Sequence, residues 1–170
     1  MSVDGTVLVT DPANGRLQQF SPWGTFLRAI CVEGADLRQP AGCRRPETTP
    51  LWEIAVTATG EIIVAMAEQS RLRILAPDGA LRDEWNVEAS DVVVDHSGRI
   101  WVGEPAVRQI RALDRLTGPA VTVGGPYEVD LCGENTGSPF GFPWDYKCNP
   151  LALSVGPGDV LFAGLYDSYG

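Results

Sequence analysis

Oxygen-bearing side chains near predicted strand ends are the residues of this sequence best suited to hold a cation. Carboxylate and amide oxygens are the ligands that Ca²⁺ prefers. The candidates are Asp11, Asn14, Glu68, Glu104, Asp130 and Asn149. A calcium site would support metal-dependent hydrolase or lyase chemistry. The alternative is that these side chains make ordinary turn hydrogen bonds at strand ends, so we predict no cofactor and keep calcium as the alternative.

Other catalytic chemistry has little support in the sequence. His96 is the one histidine of the chain, and it lies in a predicted turn between Asp95 and Ser97. Adjacent residues do not converge as a catalytic triad requires. A zinc site would also need more histidine or cysteine ligands. We therefore predict no catalytic residue and favour a binding role over an enzymatic one.

Four cysteines form two local pairs in the sequence. Cys31 precedes Cys43 by 12 residues, and Cys132 precedes Cys148 by 16, spacings that fit no CxxC zinc or redox motif. We predict a local disulfide in each pair, which implies an extracellular or periplasmic location. Two alternatives remain: disulfides between a cysteine of the first pair and one of the second, or four reduced thiols in a cytosolic protein. The export signal that this location requires is not found at Met1–Gly5.

Composition indicates one globular domain. The chain has 170 residues, 44% of them hydrophobic, with 13 basic and 22 acidic residues and a net charge of −9. This acidity argues against nucleic-acid binding, which depends on clustered Lys and Arg. The apolar runs are too short to span a membrane as a helix. We expect neither nucleic acid nor a membrane span among its interactions.

An internal repeat determines the predicted architecture. Four turn glycines, Gly5, Gly60, Gly98 and Gly158, are each followed by an apolar strand. A second strand begins eleven residues after the first three glycines, a third follows it, and another apolar segment precedes each of the last three glycines. The repeat is thus a four-stranded meander of roughly 35 to 40 residues, which is typical of a β-propeller blade.

The first copy carries a more specific pattern. The segment 11–27 contains an acidic residue, Asp11, then Asn14, Arg16, a short strand ending in Phe20 and a turn at Gly24. It resembles an NHL repeat. This resemblance implies an all-β chain with NHL-like four-stranded blades. Arginines recur near the start of the same strand in the first three copies, at Arg16, Arg71 and Arg108, and we interpret them as a repeated structural ion pair or hydrogen bond.

The strands divide residues 1–170 into parts of three to four blades. We place these parts at about 5–30, 51–86, 89–123 and 150–170, with disulfide-bounded inserts at about 31–50 and 124–149. Closed propellers generally have four to eight blades, so the prediction is an incomplete arc or a fragment. The alternative is that copies self-associate to complete the ring.

The second insert concentrates aromatic residues. Five of them lie within about 20 residues: Tyr127, Phe140, Phe142, Trp144 and Tyr146. Aromatics on a disulfide-closed loop offer rigid contact area for a protein, peptide or glycan. The alternative is a small satellite core that packs this loop onto the blade below.

We predict a binding or recognition module that engages its partner through the face that carries the inserts. Two alternatives remain. One is a calcium-dependent hydrolase or lyase similar to gluconolactonase, a family from which this sequence departs in lacking a recognisable ligand set. The other is a structural repeat within a larger assembly.

Overall fold

A computed structural model describes residues 5–38, 42–47, 51–104, 109–113, 129–130 and 148–167. The chain divides into two compact units, Met1–Glu88 and Ala89–Gly170. Every regular element longer than a single 3₁₀ turn in the described residues is a β-strand. No helix that could cross a membrane occurs in these ranges.

The first unit contains two antiparallel meanders. The first sheet has three strands in the order β1 (Val7–Asp11), β2 (Arg16–Phe20) and β3 (Phe26–Cys31). The second has four strands in the order β4 (Trp52–Val56), β5 (Ile62–Met66), β6 (Arg71–Leu75) and β7 (Leu81–Trp85). Each strand pairs with its sequence neighbour, so the predicted four-stranded repeat is confirmed in the second sheet.

The two sheets of the first unit share one core. Its buried residues are Leu17, Ile30, Val32, Trp52, Ile62, Val64, Met66 and Leu75. Strand β5 is buried along its whole length, as expected for an inner strand of a sheet. Arg28 of β3 donates hydrogen bonds to the carbonyl oxygens of Pro77 and Asp78 in the β6–β7 turn. Polar and apolar contacts therefore both fix the first sheet against the second.

The second unit also contains two sheets. The larger has the order β8 (Asp91–Val94), β9 (Ile100–Glu104), β10 (Gln109–Leu113) and β11 (Val129–Asp130). The smaller pairs β12 (Cys148–Val155) with β13 (Leu161–Asp167). Asp91 at the start of β8 accepts a hydrogen bond from the backbone N–H of Leu153 in β12, which links the two sheets. The short outer strand β11 lies within 124–149, the range predicted as the second insert.

The anchor glycines occupy the turns that the repeat predicts. All four have positive φ, from 71° to 84°. Before the second and third anchors the same turn recurs, because the N–H of Gly60 donates to the carbonyl of Thr57 and that of Gly98 to the carbonyl of Asp95. The glycines therefore mark tight reversals into β5 and β9.

Candidate functional site

The first insert is closed by the predicted disulfide between Cys31 and Cys43. Inside this loop the N–H of Asp36 donates to the carbonyl of Gly42 at 3.0 Å. The N–H of Arg44 likewise donates to the carbonyl of Gly34 at 2.9 Å. The described residues of the insert therefore form a small hydrogen-bonded ribbon.

One side of the insert packs on the β1–β2 turn. Gly15, which ends the 3₁₀ turn Pro12–Asn14, has φ of 67°, and a Cβ at this position would lie 1.9 Å from the carbonyl oxygen of Arg44. The Gly15 carbonyl accepts a hydrogen bond from the N–H of Val32. Only glycine allows both this backbone conformation and this close approach.

The predicted cation ligands Asp11 and Asn14 lie together in this turn, but arginines use their oxygens. Asn14 donates to both carboxylate oxygens of Asp11, and Arg16 and Gln18 donate to one of them, at 2.8 and 3.1 Å. The Asn14 oxygen accepts a hydrogen bond from Arg45 at 2.9 Å. A cation would have to displace two guanidinium groups, so this arrangement does not fit a calcium site.

The electrostatics of Asp11 agree with that geometry. Burial acts to raise the pKa of the Asp11 carboxyl, but hydrogen bonds from Arg16, Asn14 and Gln18 together with the Arg16 charge bring this pKa below its ordinary value. Asp11 is therefore a stabilised carboxylate with its counter-ion in place. We interpret it as a structural residue of the first repeat.

The other side of the insert is tied to the second sheet through Glu33. One Glu33 oxygen lies 3.1 Å from Nη2 of Arg71, and the other lies 3.2 Å from Nη1 of Arg73. Arg73 also donates to the carbonyl of Val32, and both arginines contact Glu84 on β7. The insert is thus anchored on both the sheet that precedes it and the sheet that follows it.

The Glu33 contacts coincide with a change of residue within the repeat. The position of Asp11 in the first repeat is occupied by Met66 in the second and by Glu104 in the third. In the first repeat the strand acid pairs with Arg16, whereas in the second no acid stands at this position and the insert supplies Glu33. The predicted ion pairs of Arg16 and Arg71 are confirmed, and Arg108 lies outside the described residues.

In the second unit, Glu104 is also engaged by an arginine. It is buried and forms an ion pair with Arg111 of β10. Asp130 lies in β11 and Asn149 in β12, and Glu68 is an exposed residue of the β5–β6 turn. Within the described ranges, no three His, Cys, Asp or Glu side chains cluster as metal ligands would.

His96 has a partner that the sequence did not indicate. Its Nδ1 lies 2.7 Å from Oδ1 of Asp159, and its backbone N–H donates to the same oxygen at 2.8 Å. Asp159 belongs to the β12–β13 turn, 63 residues away, with φ of 59°. The His96 side chain is 70% exposed, as predicted for a turn histidine, yet it forms a His–Asp pair.

Asp95, next to His96, organises the β8–β9 turn. One carboxylate oxygen accepts hydrogen bonds from the Ser97 hydroxyl and the Arg99 N–H, at 2.6 and 2.9 Å. The other accepts from Nε1 of Trp101 at 3.0 Å. Burial raises the pKa of Asp95, but these donors and the Arg99 charge lower it below its ordinary value. The turn that carries His96 is therefore held by a charged carboxylate.

The predicted recognition residues lie outside the described residues. These are Tyr127, Phe140, Phe142, Trp144 and Tyr146. Cys132 also lies outside them, and Cys148 is described only as the first residue of β12. The second disulfide and the aromatic surface remain predictions.

Comparison with known proteins identifies the fold. No protein-family profile matches the chain, and no curated protein does. Virginiamycin B lyase from Staphylococcus aureus is 17% identical with a TM-score of 0.60, covering 96% of this chain and 46% of its own. Hydrazine synthase from Kuenenia stuttgartiensis is 16% identical with a TM-score of 0.62, and the match covers 96% of this chain and 40% of that one. A catalytically inactive histidine variant of the S. aureus lyase with quinupristin is 18% identical with a TM-score of 0.61, and the match covers 95% of this chain and 46% of that one.

These similarities establish the architecture. The neighbours are β-propeller proteins, and the described sheets of this chain are the antiparallel meanders of such a fold. The chain spans less than half the length of each of the three structures. At sequence identities below one fifth, structural similarity establishes the fold but not the function. The chain is therefore all-β, with the fold of part of a β-propeller.

Proposed function

We propose that this chain is part of an extracytoplasmic NHL-type propeller that recognises a protein, peptide or glycan through its insert-bearing face. The observation that carries the proposal is the double anchoring of the first insert. The insert is closed by Cys31–Cys43, packed on Gly15 and held by Glu33 to Arg71. A loop fixed in this way presents its surface at a small entropic cost on binding. The disulfide supports the extracytoplasmic location.

The aromatic insert supplies the contact residues in this proposal. Large aromatic side chains dominate the energetics of recognition surfaces when a rigid scaffold holds them. Phe142 and Trp144 lie between Cys132 and Cys148, as Glu33 lies between Cys31 and Cys43. We infer that the second insert is stapled like the first and presents these rings.

A binding screen tests the proposal. The oxidised chain would be applied to a glycan array and to a random peptide display library, and each hit would be measured again with the Trp144→Ala variant. We expect at least one saturable ligand whose affinity falls about tenfold or more in this variant, as at an interface hot spot. The matched control is Trp23→Ala, because Trp23 is 91% exposed on the β2–β3 turn.

The control decides what a positive result means. Equal losses in the two variants would indicate nonspecific aromatic binding and would contradict the proposal. Ligands that bind the Trp144→Ala variant as tightly as the original chain would also contradict it. An unchanged melting temperature and circular dichroism spectrum would show that each variant is folded.

A lyase is the second candidate, favoured by the His96–Asp159 pair. A carboxylate on Nδ1 orients an imidazole and leaves its other nitrogen to act as a base. The ring is 70% exposed, so a substrate could reach that nitrogen. Virginiamycin B lyase shares the fold, and a histidine variant of it is catalytically inactive. The arginine contacts of Asp11 and Asn14 do not support the calcium-dependent form of this candidate at those residues.

Quinupristin is the substrate with which to test the lyase. Its chromatographic peak would be followed during incubation with the chain, with and without added divalent cations. A lyase predicts loss of the peak with the original chain and no loss with His96→Ala. Loss that persists in His96→Ala, or a stable peak with the original chain, would remove this candidate and leave the binding proposal intact.

A further inference from the structure

Asn14 is followed directly by Gly15, the one Asn-Gly pair of the sequence, and this dipeptide is chemically reactive. The backbone nitrogen that follows an asparagine can attack the side-chain carbonyl carbon, which closes a succinimide ring and releases ammonia. Water then opens the ring to aspartate or to isoaspartate, in which the backbone runs through the side chain. Glycine favours the attack because it has no side chain to obstruct the nitrogen and its backbone turns most freely.

In the folded chain both reacting groups are engaged in hydrogen bonds. The Gly15 nitrogen, which would attack, donates its proton to the carbonyl of Pro12 at 2.9 Å. Nδ2 of Asn14 donates to the two oxygens of Asp11 at 2.9 and 3.1 Å. Oδ1 of Asn14 accepts from Arg45 of the first insert at 2.9 Å. Attack requires all of these hydrogen bonds to be rearranged, so the native geometry opposes the reaction.

The first insert also holds Gly15 itself. Gly15 is buried, and a Cβ built on it would lie 1.9 Å from the carbonyl oxygen of Arg44. The Gly15 carbonyl accepts a hydrogen bond from the N–H of Val32 at 3.0 Å. Ring closure turns the peptide bond between Asn14 and Gly15 and so moves the Gly15 Cα. Because the insert lies against that atom, the insert has to move away before the ring can form.

We propose that Asn14 is a deamidation site whose reaction is controlled by the first insert and its disulfide, Cys31–Cys43. With the disulfide formed, Asn14 reacts only during local openings of the insert. With the disulfide reduced, such openings are more frequent, because the bond restricts the conformations of the opened segment. This control concerns how the insert is attached and does not depend on any ligand of the proposed recognition face.

The reaction needs no reactant besides water. The Gly15 nitrogen bonds to Cγ of Asn14, the bond from Cγ to Nδ2 breaks, and the proton of Gly15 leaves with Nδ2 as ammonia. Water then adds its hydroxyl group to one ring carbonyl and returns a proton to the nitrogen. The net change is an amide NH₂ replaced by a carboxyl OH.

The isoaspartyl product cannot rebuild the packed turn. It carries an additional methylene group in the backbone directly before Gly15, where the Arg44 carbonyl leaves no space. The new carboxyl group also replaces the Nδ2 donor of Asp11 with a like charge. The insert is then released from the first sheet and stays attached to the second through Glu33. Deamidation therefore makes the opening permanent on one side.

Peptide mapping by mass spectrometry tests the proposal. The oxidised chain, the reduced chain and the oxidised chain in concentrated urea would be incubated at mildly alkaline pH, and conversion of Asn14 would be followed in time. We expect conversion in the oxidised folded chain to be at least about tenfold slower than in urea, because a local opening precedes each reaction. The reduced chain should convert at an intermediate rate. Equal rates in the oxidised folded chain and in urea would overturn the proposal.

Cysteine variants show which pair of cysteines controls the reaction. Cys31→Ser with Cys43→Ser should convert Asn14 severalfold faster than the original oxidised chain. The matched control, Cys132→Ser with Cys148→Ser, makes the same substitutions at the other two cysteines and should leave the rate unchanged. Equal rates in the two double variants would overturn the proposal.

A folding check keeps this comparison decisive. Circular dichroism and the melting temperature show whether each double variant is folded. If the first is not, the control variant would be compared in its oxidised and reduced forms, because reduction there breaks Cys31–Cys43 alone. A rate at Asn14 that does not change on this reduction would overturn the proposal.

Hydrogen exchange of the isolated isoaspartyl form tests the release of the insert. The amide of Val32, which bonds to the Gly15 carbonyl, should exchange faster than in the original chain. The amide of Arg44, which bonds to the Gly34 carbonyl inside the insert, is the control and should change little. Val32 protection equal to that of the original chain would show that the insert stays attached and would overturn this step.

Discussion

Glu33 binds Arg71 at 3.1 Å, joining the first insert to the second sheet of the same unit. The second Glu33 oxygen binds Arg73, so one carboxylate holds two arginines of β6. The first repeat takes the corresponding acid from its own strand, at Asp11, while the second has Met66 there. The insert therefore supplies a second acid to Arg71, beside Glu84 of its own sheet.

Replacing Glu33 should loosen this connection. In Glu33→Gln the two partly buried arginines lose one of their two shared counter-ions and keep Glu84, and we expect a loss of about 1 kcal/mol in the free energy of unfolding. Chemical denaturation of the oxidised chain measures this loss. Glu68→Gln is the control, because Glu68 is exposed on the β5–β6 turn, and it should change the free energy little. A loss no larger in Glu33→Gln than in this control would show that the network does not stabilise the fold.

The disulfide should stabilise the unit through the denatured state. Closing a loop with a sequence separation of 12 is worth about 3 kcal/mol in the chain-entropy treatment. The double variant Cys31→Ser with Cys43→Ser should lose about that much and should be cleaved faster by protease within 32–42. If reduction of the original chain changes its stability much less than this, the ribbon hydrogen bonds and Glu33 hold the insert without the bond.

The close approach at Gly15 can be separated from its backbone conformation. Gly15 and Gly24 have similar positive φ, 67° and 80°, but a Cβ at Gly24 meets nothing within 4 Å. Gly24→Ala should therefore cost about 1 kcal/mol from strain alone. Gly15→Ala should cost about 3 kcal/mol, because the methyl group also displaces the Arg44 backbone. Thermal unfolding of both variants gives the comparison, and equal costs would mean that the insert moves away freely.

The repeat made the sheets predictable from the sequence. Contacts between residues distant in sequence could not be predicted from it. The strands before Gly60 and Gly98 were predicted from Ile54 and Val92, and the structure begins them at Trp52 and Asp91. Periodicity and turn glycines carry this information because they are local. The local pairing of Cys31 with Cys43 was predictable for the same reason.

The site depended on residues that only folding brings together. His96 meets Asp159 across 63 residues, and Glu33 meets Arg71 across 38. Neither pair has a fixed spacing that a motif could capture. The candidate ligands Asp11 and Asn14 were chosen for their oxygens, and the sequence did not reveal that Arg16 and Arg45 would use them.

Asp95 should make the second unit sensitive to acid. Its pKa is lower in the folded chain than its ordinary value of 3.8, since its hydrogen-bond donors and the Arg99 charge outweigh the effect of burial. Its stabilisation is therefore fully present above 3.8 and is lost as the pH falls through the folded-state pKa. Asp95→Asn should be less stable at neutral pH but should lose less stability between about pH 5 and 2. Chemical denaturation at a series of pH values measures this, and a free energy of unfolding that falls equally with pH in the two proteins would contradict this role of Asp95.

Asp91, four residues before Asp95, should act with the opposite sign. Burial raises its pKa above the ordinary value, and the N–H donors of Leu153 and Val92 offset only part of this effect. The folded chain thus holds the Asp91 proton more tightly than the unfolded chain. The stability from this group is fully present below 3.8 and is lost as the pH rises through the raised pKa. Asp91→Asn cannot ionise, so its stability should fall less than that of the original chain as the pH rises through that range. Denaturation curves from pH 3 to 7 would measure the difference, and a difference of the opposite sign would mean that Asp91 is stabilised as a carboxylate by its two backbone donors.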